Sequence, residues 1–568
     1  MTVRTRVHLE GNLKQALETG RNRLLVTGVV FMIAFVVISI RLVDLTVFGP
    51  GARPRLAHVA AAAPNVVKRA DIIDRNGVIL ATSLPSASLF ADPRDVMNAE
   101  DAAARLVKVL PDLTYSEILA KLDSGARFVW LSRNLTPNQQ YQVNKLGIPG
   151  LSFRQGERRV YPQGREAAHI LGLTDIDGKG IAGIEKRFSD ALENAASPLQ
   201  LSIDIRIQSM LRRELMSSMA EFKARGAAGA VLDVHTGEVM AMVSLPDFDP
   251  NQPATMLDDA AFNRVTKGVY EMGSTFKLFN TAMALDSNTV GLKDGYDASK
   301  PIHIARFTIH DFHAKNRWLS VPEILIYSSN IGSAKMAMDV GAKAQRFYLD
   351  RFGLLRPSDV ELPEIGLPQT PRRWGDISTM TISYGHGIAV SPLQVVGAAA
   401  ALVNGGIRYP VSLLKHRGLE APEGERVLSA RTSDEMRGLM RLVVTKGTGK
   451  NAAATGYLVG GKTGSAEKQV DGRYAVKSLI SSFVGAFPMN NPRYVMMAML
   501  DEPKGTKRTF NYATGGWVAA PVIKRMVMAM GPLLGMMPNR STDGKDGLPR
   551  LASLRVGAGA GKPRLETY

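Results

Sequence analysis

The stretch YEMGSTFKLFNTAMAL, Tyr270 to Leu285, decides how the rest of the chain is read. It places Ser274 three residues before Lys277 at the opening of an apolar helix with Leu278, Phe279, Ala282, Met283 and Leu285 as its buried stripe. Residues i and i+3 share a helix face, so the lysine amine reaches the serine hydroxyl. A serine hydroxyl is a poor nucleophile at neutral pH until a neighbour takes its proton. Lysine does so only when its own pKa is lowered, which burial and a second nearby cation both achieve. The helix N-terminus adds partial positive charge where an alkoxide, and later an oxyanion, would form. Alone, SxxK is a weak signal, because Ser274 as an N-cap and Lys277 as a solvated first-turn side chain account for it equally well.

The whole chain bounds what such a pair can serve. Its 568 residues exceed one domain of roughly 100–200 residues and suggest two or three folded units with appendages. Mean hydropathy is −0.03, which excludes a polytopic membrane protein and leaves only local attachment. Leu24 to Ile40 carries no charge and, lengthened by Leu42 to Phe48, crosses a hydrocarbon core of about 30 Å. Arg4, Arg6, Lys14, Arg21 and Arg23 precede it against Glu10 and Glu18, so the N-terminus is expected in the cytoplasm. The run Ala60–Ala63 resembles a signal-peptide cleavage site but lies too far from the apolar run, so the segment reads as an uncleaved anchor. Cysteine is absent, which excludes disulfides and thiol nucleophiles and suits an oxidising compartment. The net charge of +18 admits nucleic acid, anionic lipid or an anionic wall, but the basic residues are scattered without aromatic interleaving, which disfavours nucleic acid.

Composition divides the chain further. Residues 1–23 read as a cytoplasmic tail, 24–48 as the transmembrane anchor, and 49–65 as a Pro-containing linker. Residues 66–198 mix short helical and strand-like pieces, open on a hairpin signal at Asn76-Gly77, and form an elongated α/β support, or pedestal, domain without clustered reactive residues. Within 199–535, AAGAVLDVHTGEVMAMVS is a second hairpin, and SLISSFVGAFP and RYVMMAMLDEP are strands joined at Met489 to Pro492. Helical patterns, among them Leu393 to Val403 and GWVAAPVIKRMVMAM, fall between and after them. This predicts an α+β fold with an antiparallel sheet covered by helices. Residues 536–568 are rich in Gly, Pro and charge and read as a disordered tail.

The missing partners for Ser274 and Lys277 are present downstream. Ser328 and Asn330 in YSSNIG supply a hydroxyl and an amide, and Lys462, Thr463, Gly464 and Ser465 lie in GGKTGSAEK, where glycines permit close backbone approach. SxxK, SxN and KTG together match the motif set of the penicillin-binding proteins and serine β-lactamases. The chain resembles a class B, monofunctional penicillin-binding protein over most of its length. IIDRNGVILATS, RRVYPQGREAAHILGLTDIDGKGIAGIEKRF, VLDVHTGEVMAMVSLPDFDPN, SYGHGIAVSPLQ and ATGGWVAAPVI are all family-like, with DGKGIAGIE nearest the division-specific members. It departs from the family pattern at Ala70, where a glycine is usual, at Met272, where proline is common, and at Ser465, where threonine is usual.

The resemblance implies a transpeptidase domain of β-lactamase-like fold. In it Ser274 attacks the penultimate D-Ala carbonyl of a peptidoglycan stem peptide and Lys277 acts as its base. Ser328 passes a proton to the departing D-Ala, and Asn330 bonds the substrate amide. Lys462, Thr463 and Ser465 hold the terminal carboxylate, and the backbone N–H groups of Ser274 and Ser465 form the oxyanion hole. Lys462 would also be the second cation that the lowered pKa of Lys277 requires. No metal or organic cofactor is implied. Implied partners are lipid-linked glycan strands, β-lactam antibiotics and an FtsW-type glycan polymerase with other division proteins, at the inner membrane with the catalytic domain in the periplasm. Three rival readings share these motifs: an elongation-specific transpeptidase, a non-catalytic penicillin sensor or division scaffold, and a β-lactamase-like hydrolase, which the long N-terminal module disfavours. Two decoys are set aside. GYLVGGKT, 456–463, satisfies the P-loop pattern letter for letter but is not followed by an apolar helix. His303, His310 and His313 cluster in HIARFTIHDFH without a carboxylate-rich frame.

Overall fold

The computed structural model describes residues 8–43, 69–305, 307–416, 422–470 and 473–538. The expected linker, residues 44–48 of the expected anchor and residues 539–568 of the expected tail lie outside the described residues. The chain divides into two compact units, Met1–Val66 and Val67–Tyr568. In the first, helix α1 runs from His8 to Val43, beginning well before the apolar run. Its Arg21–Ile40 portion is, among the described residues, the one helix long and apolar enough to cross a membrane. Val, Ile and Phe side chains point outward all round it.

The second unit opens with the support region. Strands β1 (Ile72–Ile73) and β2 (Ile79–Ala91) form the hairpin that Asn76-Gly77 predicts, closed by the Asp74 N–H to Val78 carbonyl bond at 2.8 Å with Gly77 at φ +88°. Strands β3 (Val129–Leu135) and β4 (Leu151–Val160) flank β2 antiparallel, and β5 (Leu199–Gln200) pairs parallel to β1. Helices α2 (Ala99–Leu106), α3 (Tyr115–Leu122) and α4 (Pro137–Lys145) start where Asn98, Thr114 and Thr136 turn their side chains onto the first free backbone N–H groups. Leu106, Ile118, Leu122 and Val143 from these helices bury a small core against Leu89 and Leu131. A charge cluster not foreseen in this region is buried at its base. Glu185 is fully enclosed and receives Arg69 at 2.7 Å and Arg159 at 2.7 Å. It locks Arg69, the first described residue of the second unit, to β4 and is structural in character.

The remainder is built on one antiparallel sheet. Helix α5 (Ile205–Glu221) precedes β6 (Gly226–Asp233) and β7 (Val239–Leu245), the second predicted hairpin. Helix α6 (Lys277–Asp286), the short hairpin β8 (Ile302–Ile304) and β9 (Phe307–Ile309), and helices α7 (Val321–Tyr327), α8 (Asn330–Val340), α9 (Pro392–Ala401) and α10 (Ala430–Lys446) follow. Strands β10 (Gly460–Val470), β11 (Arg473–Phe487) and β12 (Tyr494–Asp501) complete the sheet in the order β10-β11-β12-β6-β7, and α11 (Ala520–Leu533) closes the described chain. The sheet is buried on both faces, and its residues alternate between two cores as the period of a strand requires. Val495, Met497 and Met499 join Leu278, Phe279 and Leu393 on one side, while Met496, Ala498 and Leu500 join Leu211, Ile523 and Val527 on the other. Helices on both faces leave β10 at the sheet edge, and that edge carries the site.

Candidate active site

Ser274 lies in a 3-10 turn, Gly273–Phe276, that runs directly into α6. Its hydroxyl makes no capping bond and is half-buried, and Lys277 has no solvent exposure, so neither the N-cap nor the solvated-lysine explanation holds. The turn is forced by contacts that only glycine tolerates. Gly273 has φ +54°, and a Cβ there would stand 2.6 Å from the Ser465 carbonyl oxygen. A Cβ on Gly385, in SYGHG, would stand 2.1 Å from the Gly273 carbonyl oxygen. Met272, in the place where the family commonly has proline, is buried in the core, and its carbonyl accepts the Thr275 hydroxyl at 2.9 Å.

Three separate elements converge on Lys277. Its Nζ lies 2.8 Å from Ser274 Oγ, 2.6 Å from Asn330 Oδ1 and 3.3 Å from Ser328 Oγ. Lys462 Nζ, entering from β10, is 3.1 Å from the same Ser328 hydroxyl and bonds the Thr463 carbonyl and hydroxyl oxygens. Ser328 therefore bridges two amines. It ends α7 in the left-handed region, φ 59° and ψ 42°, an unfavourable conformation for serine that aims its hydroxyl into the gap. Thr463 Oγ1 also meets Thr448 Oγ1 at 2.8 Å. Ser465 Oγ accepts the Gly515 N–H at 3.0 Å, which leaves its own proton to donate. At Gly464 a Cβ would come within 2.5 Å of both Met272 O and Ser482 Oγ, so β10 approaches the serine turn as closely as a backbone can.

The electrostatics follow from burial. Lys277 is held well below the usual lysine range by desolvation first and by the charge of Lys462 second, with Asp311 opposing. Burial alone lowers Lys462 to about 7. That depression favours the uncharged amine of Lys277, the form able to accept the Ser274 proton across the 2.8 Å contact. The Tyr384 ring lies 5.8 Å from its nitrogen and helps wall it from water.

Two residues escaped the sequence reading. Asp311 accepts the N–H groups of Asn330 and Ile331 at 2.6 and 3.0 Å and the Ser329 hydroxyl at 2.7 Å, so it fixes the start of α8 and with it Asn330. The His310 carbonyl takes the Asn330 amide at 3.0 Å. The signal was HIARFTIHDFH, where the carboxylate and the backbone act on the site rather than the imidazoles. His303 instead bonds Thr308 within the β8-β9 hairpin. Thr448 is the second, in the Gly-rich stretch after α10. Among the described residues no group of His, Cys, Asp or Glu is placed to hold a metal. Lys462 and Thr463 sit within a strand rather than on a loop that opens a helix, which removes the P-loop reading.

Comparison with known proteins places this geometry in a family. Residues 227–528 match the family model described as penicillin binding protein transpeptidase domain, and residues 64–194 match the penicillin-binding protein dimerisation domain. The chain is 41% identical to the probable peptidoglycan D,D-transpeptidase FtsI of Caulobacter vibrioides, covering 82% of each chain. It is 31% identical to the peptidoglycan D,D-transpeptidase FtsI of Escherichia coli K12, covering 84% of this chain and 85% of the other. Among solved structures, the transpeptidase domain of Burkholderia pseudomallei penicillin-binding protein 3 aligns with a TM-score of 0.54 at 34% identity, covering 60% of this chain and 97% of that one. A peptidoglycan synthetase from Bifidobacterium adolescentis shares the fold, with a TM-score of 0.65 at 21% identity over 83% of this chain and 96% of that one. Two matched domains in this order, with relatives aligned over more than four-fifths of both chains, make the chain a member of the class B penicillin-binding proteins, close to FtsI.

Proposed function

We propose that the chain is a peptidoglycan D,D-transpeptidase of septal wall synthesis, working through an acyl-enzyme on Ser274. The observation that carries this reading is the buried Lys277 amine, 2.8 Å from Ser274 Oγ and depressed in pKa, with Lys462 one hydroxyl away. Lys277 takes the Ser274 proton as Oγ attacks the penultimate D-Ala carbonyl. The developing oxyanion is stabilised by the Ser274 and Ser465 backbone N–H groups. The C–N bond then breaks, Ser328 relays the proton to the leaving D-Ala amine, and an amine of a second stem peptide later attacks the ester and returns a proton to Ser274. Lys462, Thr463 and Ser465 hold the terminal carboxylate, and Asn330 bonds the substrate amide. Helix α1 anchors the chain with its N-terminus cytoplasmic and residues 66–535 in the periplasm, where an FtsW-type polymerase would supply glycan strands.

Labelled penicillin tests the chemistry: a long-lived adduct is expected on Ser274, and rapid turnover of the label would favour a hydrolase instead. Cross-linking of lipid-linked glycan by the purified chain, lost in Ser274→Ala, excludes a mere sensor. Imaging the tagged chain tests the septal role, with midcell expected and a side-wall pattern pointing to elongation.

A further inference from the structure

A cleft of about 420 Å³ is lined by residues just before Ser274 and just after Ser465 in the chain, and the proposed mechanism leaves it unused. Its walls include Tyr270 and Glu271, just ahead of Ser274, Gln369 and Ile388 on one side, and Glu467 and Lys468 just beyond Ser465. The size is that of a small-ligand site. Its floor is firm, because Tyr270 and Val390 exchange two backbone hydrogen bonds at 2.9 and 3.0 Å, and Gln369 does the same with Ala389. Gly273 packs closely against both Ser465 and Gly385, so the segments that lead into and out of the cleft walls meet at the serine turn.

The charge in this cleft runs against that of the molecule. The chain is net +18, yet the one lysine in the cleft is already engaged, Lys468 Nζ lying 2.7 Å from Asp501 and 2.7 Å from Glu502. Glu271 is set in the wall, accepting the Gly387 N–H at 2.8 Å beside the His386 ring at 3.3 Å. Glu467 is different: it is exposed on the edge strand β10, two residues past Ser465, and makes no ion pair among the described residues. A carboxylate carried on a strand that lines a cleft attracts a cation, and Glu467 is still paired with Leu479 of β11.

We propose that this cleft receives an ammonium-bearing side chain of a stem peptide and that Glu467 is the residue that selects for its positive charge. The proposal rests on the transpeptidase reading, whose substrates carry such amines either on the peptide that acylates Ser274 or on the one that accepts the acyl group. The test separates the two readings. Full-length chain carrying Ser274→Ala, in detergent, is titrated with two fluorescent stem-peptide probes, identical except that one has a free lysine ε-ammonium and the other an ε-acetylated one. Tighter binding of the free-amine probe by about fivefold at low salt is expected, the scale of one partly exposed ion pair, with Glu467→Gln abolishing the preference and Glu467→Lys inverting it. Equal binding of the two probes, or a preference that survives Glu467→Gln in a chain that melts normally, overturns the proposal. Repeating the titration on chain with native Ser274 pre-acylated by penicillin identifies the source: a retained preference assigns the amine to the acceptor, a lost one to the donor. Failure of that penicillin labelling would sink the transpeptidase reading while the Ser274→Ala titrations still decide the cleft.

Discussion

Because Lys462 is buried against Ser328 and Thr463, its pKa falls to about 7, and the free protein keeps that ammonium only in the lower part of the neutral range. If the charge holds a substrate carboxylate, kcat/KM for acylation by penicillin falls as pH rises through about 7, and Lys462→Gln removes that alkaline limb. Stability moves the other way. Between about 7 and the unfolded value of 10.5 the unfolded chain binds more protons at this lysine than the folded one, so its contribution improves with rising pH and the penalty is complete below 7. Lys462→Met should therefore melt higher than the parent at pH 7, with the advantage shrinking toward pH 10, as calorimetry across that range would register. Ser328 stores strain of a different kind. Ser328→Gly and Ser328→Ala both lose the bridging hydroxyl, but only glycine relaxes the left-handed backbone, so the glycine variant should be more stable by about 1 kcal/mol in denaturant titration. The Ser274 and Lys277 pair was readable from one helical turn of sequence, and Lys462 from the KTG motif that completes the family's set. Asp311 and Thr448 were not, because they meet their partners only once segments 18 and 15 residues apart have folded together.

At the level of elements, α6 shows where periodicity understates burial. A stripe of five apolar residues was expected, and all five are buried, but so are Lys277, Asn280 and Thr281, because helices α7, α8 and α10 all pack against α6. Polar residues on a helix normally mark its wet face; here Asn280 spends its amide on the Ser333 carbonyl and hydroxyl, both at 3.1 Å. The strands were easier, since alternation in RYVMMAMLDEP is hidden but β-propensity and the turn at Met489 to Pro492 are not. The segment after β9 acts on the site through Asp311, which makes a graded test possible. Asp311→Ala frees two N–H groups and lets the start of α8 shift, and a displacement near 1 Å at Asn330 is enough to slow acylation by about 100-fold. Asp311→Asn keeps one acceptor oxygen and should lose much less. Penicillin acylation rates alongside melting temperatures check this, since both variants must stay folded for the contrast to count. Gly464→Ala carries a sharper expectation: its methyl would meet a backbone oxygen at 2.5 Å, so β10 must withdraw from the serine turn and labelling of Ser274 should disappear.

Across the whole second unit, composition suggested a boundary near residue 198, yet the chain there is stitched to both sides. Leu199 and Leu201 donate to the Asp71 and Ile73 carbonyls of the support region, while Ser202 and Asp204 donate to the Leu413 and Met240 carbonyls on the sheet side. One extended segment thus gives successive donors to two bodies, which pattern reading cannot anticipate because the partners lie far away in sequence. Asp74 reinforces the seam. Fully buried, it accepts the N–H groups of Asn76 and Val78 in the β1-β2 turn at 2.7 and 2.9 Å and that of Ile205 at the start of α5 at 3.2 Å. Arg75 adds an ion pair to Glu238 at 3.2 Å, and Lys415 donates to the Arg75 carbonyl at 3.0 Å. Bonds of this kind should make the support region and the sheet domain unfold together, as one calorimetric transition of the full chain. Asp74→Ala leaves the buried Ile205 N–H unpaired, at about 1–3 kcal/mol, frees two N–H groups of the exposed β1-β2 turn, and cuts the link to α5. The expected result is a lower first transition that separates from the main one, with thermolysin, which cuts before Leu and Ile, gaining access to the segment between Asn194 and Ile205 before the sheet domain melts. A single transition that simply moves down in temperature, with that segment still protected, would mean that β5 and the Arg75 contacts hold the seam without Asp74.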